Sequence, residues 1–68
     1  MIGILVEIVK GIPTGEEFEV RDMLPEYWTY IDHTVRNKIG KAFKPTMLET
    51  GLAQLGAKRG NRQIYIRT

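Results

Sequence analysis

Sixty-eight residues, of which 43% are hydrophobic, suffice for one small domain spanning residues 1–68 and leave no room for a second. With no cysteine and one histidine, disulfides are excluded and the usual four-ligand zinc sites lack their ligands. The net charge of +2 is small, and Ile4-Leu5-Val6, interrupted by Glu7, falls far short of the ~20 apolar residues of a membrane span. No basic region followed by an apolar one marks a signal peptide, so a cytoplasmic protein without a membrane partner is expected.

Ile2, Leu5, Val9 and Ile12 recur at helical spacing, with Ile8 beside them and Gly11 placed to cap a short first helix. The β-branched residues of this run suit a strand as well, so residues 2–9 are read as helix with strand as the alternative. Pro13-Thr14-Gly15 makes a turn, and Glu17-Phe18-Glu19-Val20 alternates like a very short edge strand. Arg21 to Leu24 is predicted as a short helical segment stopping before Pro25, and Glu26 to Tyr30 as a connection. Asp32 is a good N-cap for the clearest helix, whose stripe of Val35, Ile39, Ala42, Phe43 and Thr46 faces inward. Pro45 should kink this helix or end it near Lys44, and Gly51 closes the element. Leu52 to Lys58 and Arg62 to Arg67 then read as two strands around Arg59-Gly60-Asn61, with Ile64 and Ile66 on one side and Tyr65 on the other.

Helix, short strand, short helix, amphipathic helix and hairpin in that order predict an α+β fold of the winged helix-turn-helix type: three helices, a short strand and a C-terminal β-hairpin wing. Charge divides along the same line. Residues 1–32 carry two cations against seven carboxylates, net −5, whereas residues 33–68 carry eight cations against Glu49 alone, net +7. At 100° per residue the face of the long helix opposite its apolar stripe carries Asn37, Lys41 and Lys44, flanked by Arg36 and Lys38. The hairpin adds Lys58, Arg59 and Arg62, with the acidic half expected on the far side. These eight residues are the candidate DNA-binding site. Lys38, Lys44 and Lys58 suit phosphates, while Asn37 matches adenine, Lys41 matches guanine O6 and N7, and Arg36 is a third candidate reader.

Tyr27, Trp28 and Tyr30 are assigned to core packing rather than to base stacking, since so small a chain has only six aromatics with which to fill its interior. Without serine or cysteine, and with a single histidine, no Ser- or Cys-based triad forms, and the glycines lack the Lys and Ser or Thr of a phosphate loop. An enzyme is therefore not expected, and no metal or cofactor is called for.

Thr14-Gly15-Glu16-Glu17-Phe18, Asp22-Met23-Leu24 with aromatics at Tyr27-Trp28, Ile31-Asp32, Arg36, Ile39-Gly40-Lys41-Ala42-Phe43 and a closing hairpin with Tyr65 form a pattern over Pro13 to Thr68, about four-fifths of the chain. It resembles a family of small bacterial and phage proteins known as a domain of unknown function, with a winged-helix-like organisation. The resemblance implies the fold and brings no activity with it. Pro45 departs from the family pattern, in which this helix is unbroken. The expected function is a small transcriptional regulator or accessory factor of a bacterium or phage that binds double-stranded DNA. The alternative is a protein-interaction module on the same frame, bound through the first helix, Tyr27 to Tyr30 or the acidic surface. The apolar Ile2 to Val9 segment also favours a homodimer.

Overall fold

The computed structural model describes residues 2–68. Along the chain run α1 (Ile2–Lys10), β1 (Glu17–Phe18), α2 (Val20–Met23), α3 (Tyr27–Tyr30), α4 (His33–Thr50), β2 (Ala53–Arg59) and β3 (Arg62–Arg67). The architecture is a small α+β domain of four helices and a three-stranded antiparallel sheet in the order β1-β3-β2.

The first segment is helical. Ile2 and Leu5, three residues apart, both turn inward, which the strict alternation of a strand forbids. Leu5 and Val9 are fully buried, while Ile4 (62% exposed) and Ile8 (37%) remain on the solvent side. Glycine at position 11 follows the end of α1 without adopting a left-handed conformation. The C-terminal end of α1 is anchored by Arg67, which donates from Nε to Val9 O (3.0 Å) and from Nη1 to Leu52 O (3.1 Å). That side chain belongs to the basic half of the sequence, yet its task is to tie the end of α1 to the sheet.

β1 is an edge strand, as its length suggests, but it is shorter than the alternation implies. Only Glu17 and Phe18 pair, opposite Ile66 and Tyr65, and Val20 already opens α2. The Asp22 carboxylate accepts from the Glu19 N–H at 2.9 Å, which pins that opening turn. The stretch expected to be a plain connection contains α3, a single turn held by Trp28 N–H donating to Leu24 O (2.8 Å) and the Thr29 hydroxyl donating to Glu26 O (2.8 Å).

α4 begins where Asp32 predicts, its carboxylate accepting from Val35 N–H at 3.1 Å. It ends at Gly51, whose φ of 69° is the left-handed C-cap and whose N–H donates to Met47 O. Pro45 does not stop it: the helix runs 18 residues to Thr50. At 100° per residue Pro45 lies directly opposite the midpoint of buried Phe43 and Met47, so the Lys41 carbonyl that loses its amide partner is on the wet side of the helix. The inward stripe is also rotated from the expected one. Ile39, Phe43 and Met47 are buried with Arg36, Gly40 and Thr46 half-buried, whereas Val35 and Ala42 are exposed. Pro45→Ala is expected to stabilise the protein by about 2–2.5 kcal/mol, the ~3 kcal/mol penalty of an interior proline less the ~0.4–1 kcal/mol of entropy that proline withholds from the unfolded chain. A thermal melt should show this as a rise of at least about 8 °C in Tm.

At the centre, Phe18 and Tyr65 stack across β1 and β3 at 5.8 Å, and Phe43 meets Tyr65 edge-on at 5.0 Å and Phe18 at 6.5 Å. Leu5, Val9, Ile39, Met47 and Ala53 close the core around them, and burial pushes the Tyr65 phenol above its usual pKa. Tyr27 (62% exposed) and Tyr30 (87%) are not core residues, contrary to expectation, and of the three clustered aromatics only Trp28 packs on the core. Ile64 is buried on the opposite side of its strand from Tyr65 and outside the main cluster. β2 carries a bulge between Leu55 and Lys58, where Gln63 Nε2 donates to Gly56 O (2.9 Å) and Ile64 O (2.8 Å). The hairpin turns through Gly60, at φ 63°, and Asn61, with Arg59 directly opposite Arg62.

Candidate nucleic-acid interface

Because Ile39, Phe43 and Met47 point into the core, the outward surface of α4 carries Asn37, Lys38, Lys41 and Lys44, all exposed, together with the exposed Pro45, Leu48 and Glu49. Asn37 to Lys44 spans seven residue steps, about 10 Å of helix rise. Lys58 and Arg59, exposed at the end of β2, bring further cations to the hairpin. Among the described residues none of these lysines and neither Arg59 nor Asn37 takes part in an ion pair. Asn37 Nδ2 lies 3.4 Å from His33 Nε2, one turn back, at the limit of a hydrogen bond.

Two of the eight candidate residues are committed elsewhere. Arg36 is half-buried, donates from Nε (2.9 Å) and from Nη2 to the Trp28 carbonyl oxygen, and lies over the Trp28 ring at 5.5 Å. It clamps α3 against the first turns of α4, satisfying a carbonyl that a one-turn helix leaves unbonded. Arg62 Nε is 3.5 Å from Glu19 Oε1, and the Glu19 side chain is only 13% exposed. Sequence reasoning misses both partners, because no local spacing ties Trp28 to Arg36 or Glu19 to Arg62.

The acidic half does not keep to the far side. Since β1 is hydrogen-bonded to β3, Glu17 and Glu19 stand beside the hairpin, and with Asp22, Phe18, Arg59 and Ile64 they line a cleft of about 130 Å³. A second cavity, of about 260 Å³, opens between α2 and α3 against Arg21, Asp22, Pro25, Trp28 and Thr29. Among the described residues no group of three or more His, Cys, Asp or Glu side chains is placed to hold a metal ion, and no helix is long and apolar enough to cross a membrane. A Cβ built on Gly40 would meet nothing within 4 Å, so no neighbouring element of the fold requires a glycine there.

No curated protein and no solved structure matches the chain. A family model matches residues 4–67, reaching from α1 to the last residue of β3. The match therefore begins nine residues before Pro13, where the resemblance read from the sequence starts, and takes in most of α1. With the motif residues of the β1–α2 corner, α3, α4 and hairpin all inside that span, the chain belongs to the family described as Domain of unknown function (DUF1413).

Proposed function

We propose that this is a winged-helix protein that binds double-stranded DNA, with α4 as the recognition helix and the β2–β3 hairpin as the wing. The observation that carries the reading is the pairing of four outward polar side chains on α4, free of ion pairs among the described residues, with exposed cations on the hairpin that follows. The element order and the β1-β3-β2 sheet support it, since a helical pair, a recognition helix and an antiparallel wing call for such a layout. In this reading Asn37 pairs with adenine N6 and N7, Lys41 reaches guanine O6 and N7, and Lys38, Lys44, Lys58 and Arg59 take phosphates. Arg36 acts as the clamp on α3 and is not a reader. The biological role that fits best is a small regulator or accessory factor of a bacterium or phage, working in the cytoplasm.

Fluorescence anisotropy on a random-sequence duplex tests the proposal. With Lys38, Lys44, Lys58 and Arg59 on phosphate, affinity should fall on the order of 150-fold between ~50 and ~200 mM salt. No binding at ~50 mM would overturn it.

A protein-partner reading has its own support in Tyr27 and Tyr30, both exposed on α3, because tyrosine is enriched where interfaces form. Ile4 and Ile8 are the α1 residues that a second copy of the chain would cover. Retention of duplex binding after Tyr27→Ala with Tyr30→Ala would separate that surface from the DNA face.

A further inference from the structure

The cations of α4 and those of the hairpin stand in different surroundings. Lys38, Lys41 and Lys44 have no carboxylate at ion-pair distance among the described residues, whereas Arg62 is held by Glu19 at 3.5 Å. Glu19 cannot easily yield its place. Its side chain is 13% exposed, and its backbone N–H is fixed by the Asp22 carboxylate at 2.9 Å in the turn that opens α2. With the Glu19 side chain 13% and the Arg62 side chain 46% exposed, the pair is partly buried, and salt screens it less than a fully exposed pair. Arg59, on the opposite strand, faces the same corner across the cleft lined by Glu17, Glu19 and Asp22.

We propose that Glu19 is a positioning residue of the wing. It holds Arg62 against the β1–α2 corner, so that the hairpin meets DNA through Lys58 and Arg59 while Arg62 is withheld from phosphate. The affinity of the protein is then set below what its cations allow, and the sequence-independent share of binding is divided between Lys38 and Lys44 of α4 and Lys58 and Arg59 of the hairpin. This inference rests on the DNA-binding reading above.

Salt dependence separates it from a purely structural ion pair, because each phosphate neutralised adds about 0.9 to the slope of log affinity against log salt. Glu19→Gln keeps the shape of the side chain and frees Arg62. Its slope should steepen by about one phosphate, which adds a factor of roughly three to four to the loss between ~50 and ~200 mM salt. Glu7→Gln removes the same charge from exposed α1, where Glu7 pairs with Lys10, and should run parallel to wild type. Arg62→Ala should leave the wild-type slope nearly unchanged, yet erase the gain of Glu19→Gln when the two are combined. Circular dichroism melts of the same proteins establish that each is folded, and Arg62→Ala tests the idea even if Glu19→Gln is not. A slope in Glu19→Gln equal to that of Glu7→Gln, or a slope shallower by one phosphate in Arg62→Ala alone, overturns the inference while leaving duplex binding intact. Absence of binding by the wild-type chain overturns the DNA-binding reading itself.

Discussion

Reversing Lys41 and Arg59 together, as Lys41→Glu with Arg59→Glu, is expected to weaken binding to a random-sequence duplex at least about a hundredfold at ~50 mM salt, beyond ready detection by anisotropy. The two residues sit on the two elements the proposed interface requires, the outward face of α4 and the end of β2. Each substitution removes a cation that counterion release rewards and places a carboxylate against the phosphate backbone. Both side chains are exposed and outside any ion pair among the described residues, so the fold should be untouched. The matched control is Lys10→Glu with Arg21→Glu, which changes the net charge equally on α1 and α2. If only total charge matters, the two double variants will bind alike. If α4 and the hairpin form the surface, the control will keep most of its affinity. Full binding by the Lys41/Arg59 variant would move the site elsewhere on the molecule.

Phe43→Ala is expected to bring the protein to the midpoint of unfolding at 25 °C, with about half of the molecules unfolded. Phe43 is fully buried and touches both other rings of the central cluster, edge-on to Tyr65 and to Phe18. Truncating a buried phenylalanine costs about 3–5 kcal/mol through lost transfer energy and the cavity left behind. A core in a chain of this length supplies a net stability of only ~3–5 kcal/mol, and no disulfide is present to add to it. The two quantities cancel. Phe43→Leu, which keeps most of the volume, should lower Tm yet retain a cooperative transition. Far-UV circular dichroism during heating distinguishes the cases, and a cooperative melt of Phe43→Ala near the wild-type Tm would show that the aromatic cluster is not the centre of stability.

The pairing of α4 with the hairpin bears on how this domain would present a DNA-binding surface in the proposed reading. α4 offers its polar face because its other side is needed for the core, and the hairpin reaches past the sheet because β3 is held between β1 and β2. The same sheet order brings acidic β1 next to the wing. In the proposed reading, binding strength and its restraint would thus arise from one piece of topology.

Features governed by neighbours within a turn of helix or a two-residue loop were legible in the sequence. Asp32 and Gly51 mark the ends of α4, since an N-cap carboxylate and a left-handed glycine act on backbone groups three or four residues away. The hairpin around Gly60 and Asn61, the edge position of β1 and the α+β class follow from equally short-range patterns. The α1 helix was legible but ambiguous, because a nearly unbroken apolar run offers little contrast between its faces. Tertiary structure alone decided the rest. Pro45 stays inside α4 because Phe43 and Met47 anchor the helix on both sides of it while its own position faces water. α3 forms because Trp28 is gripped from α4 by Arg36. Tyr27 and Tyr30 turn outward because Phe18, Phe43 and Tyr65, from three separate elements, already fill the centre. The cations divide into open, clamping and paired ones only once their partners are brought near: Arg67 finds Val9 O across 58 residues of chain, and Arg62 finds Glu19 across the β1–β3 side of the sheet. A charge in a sequence states its sign; which partner it has, and so what it is free to bind, depends on contacts that only the folded chain creates.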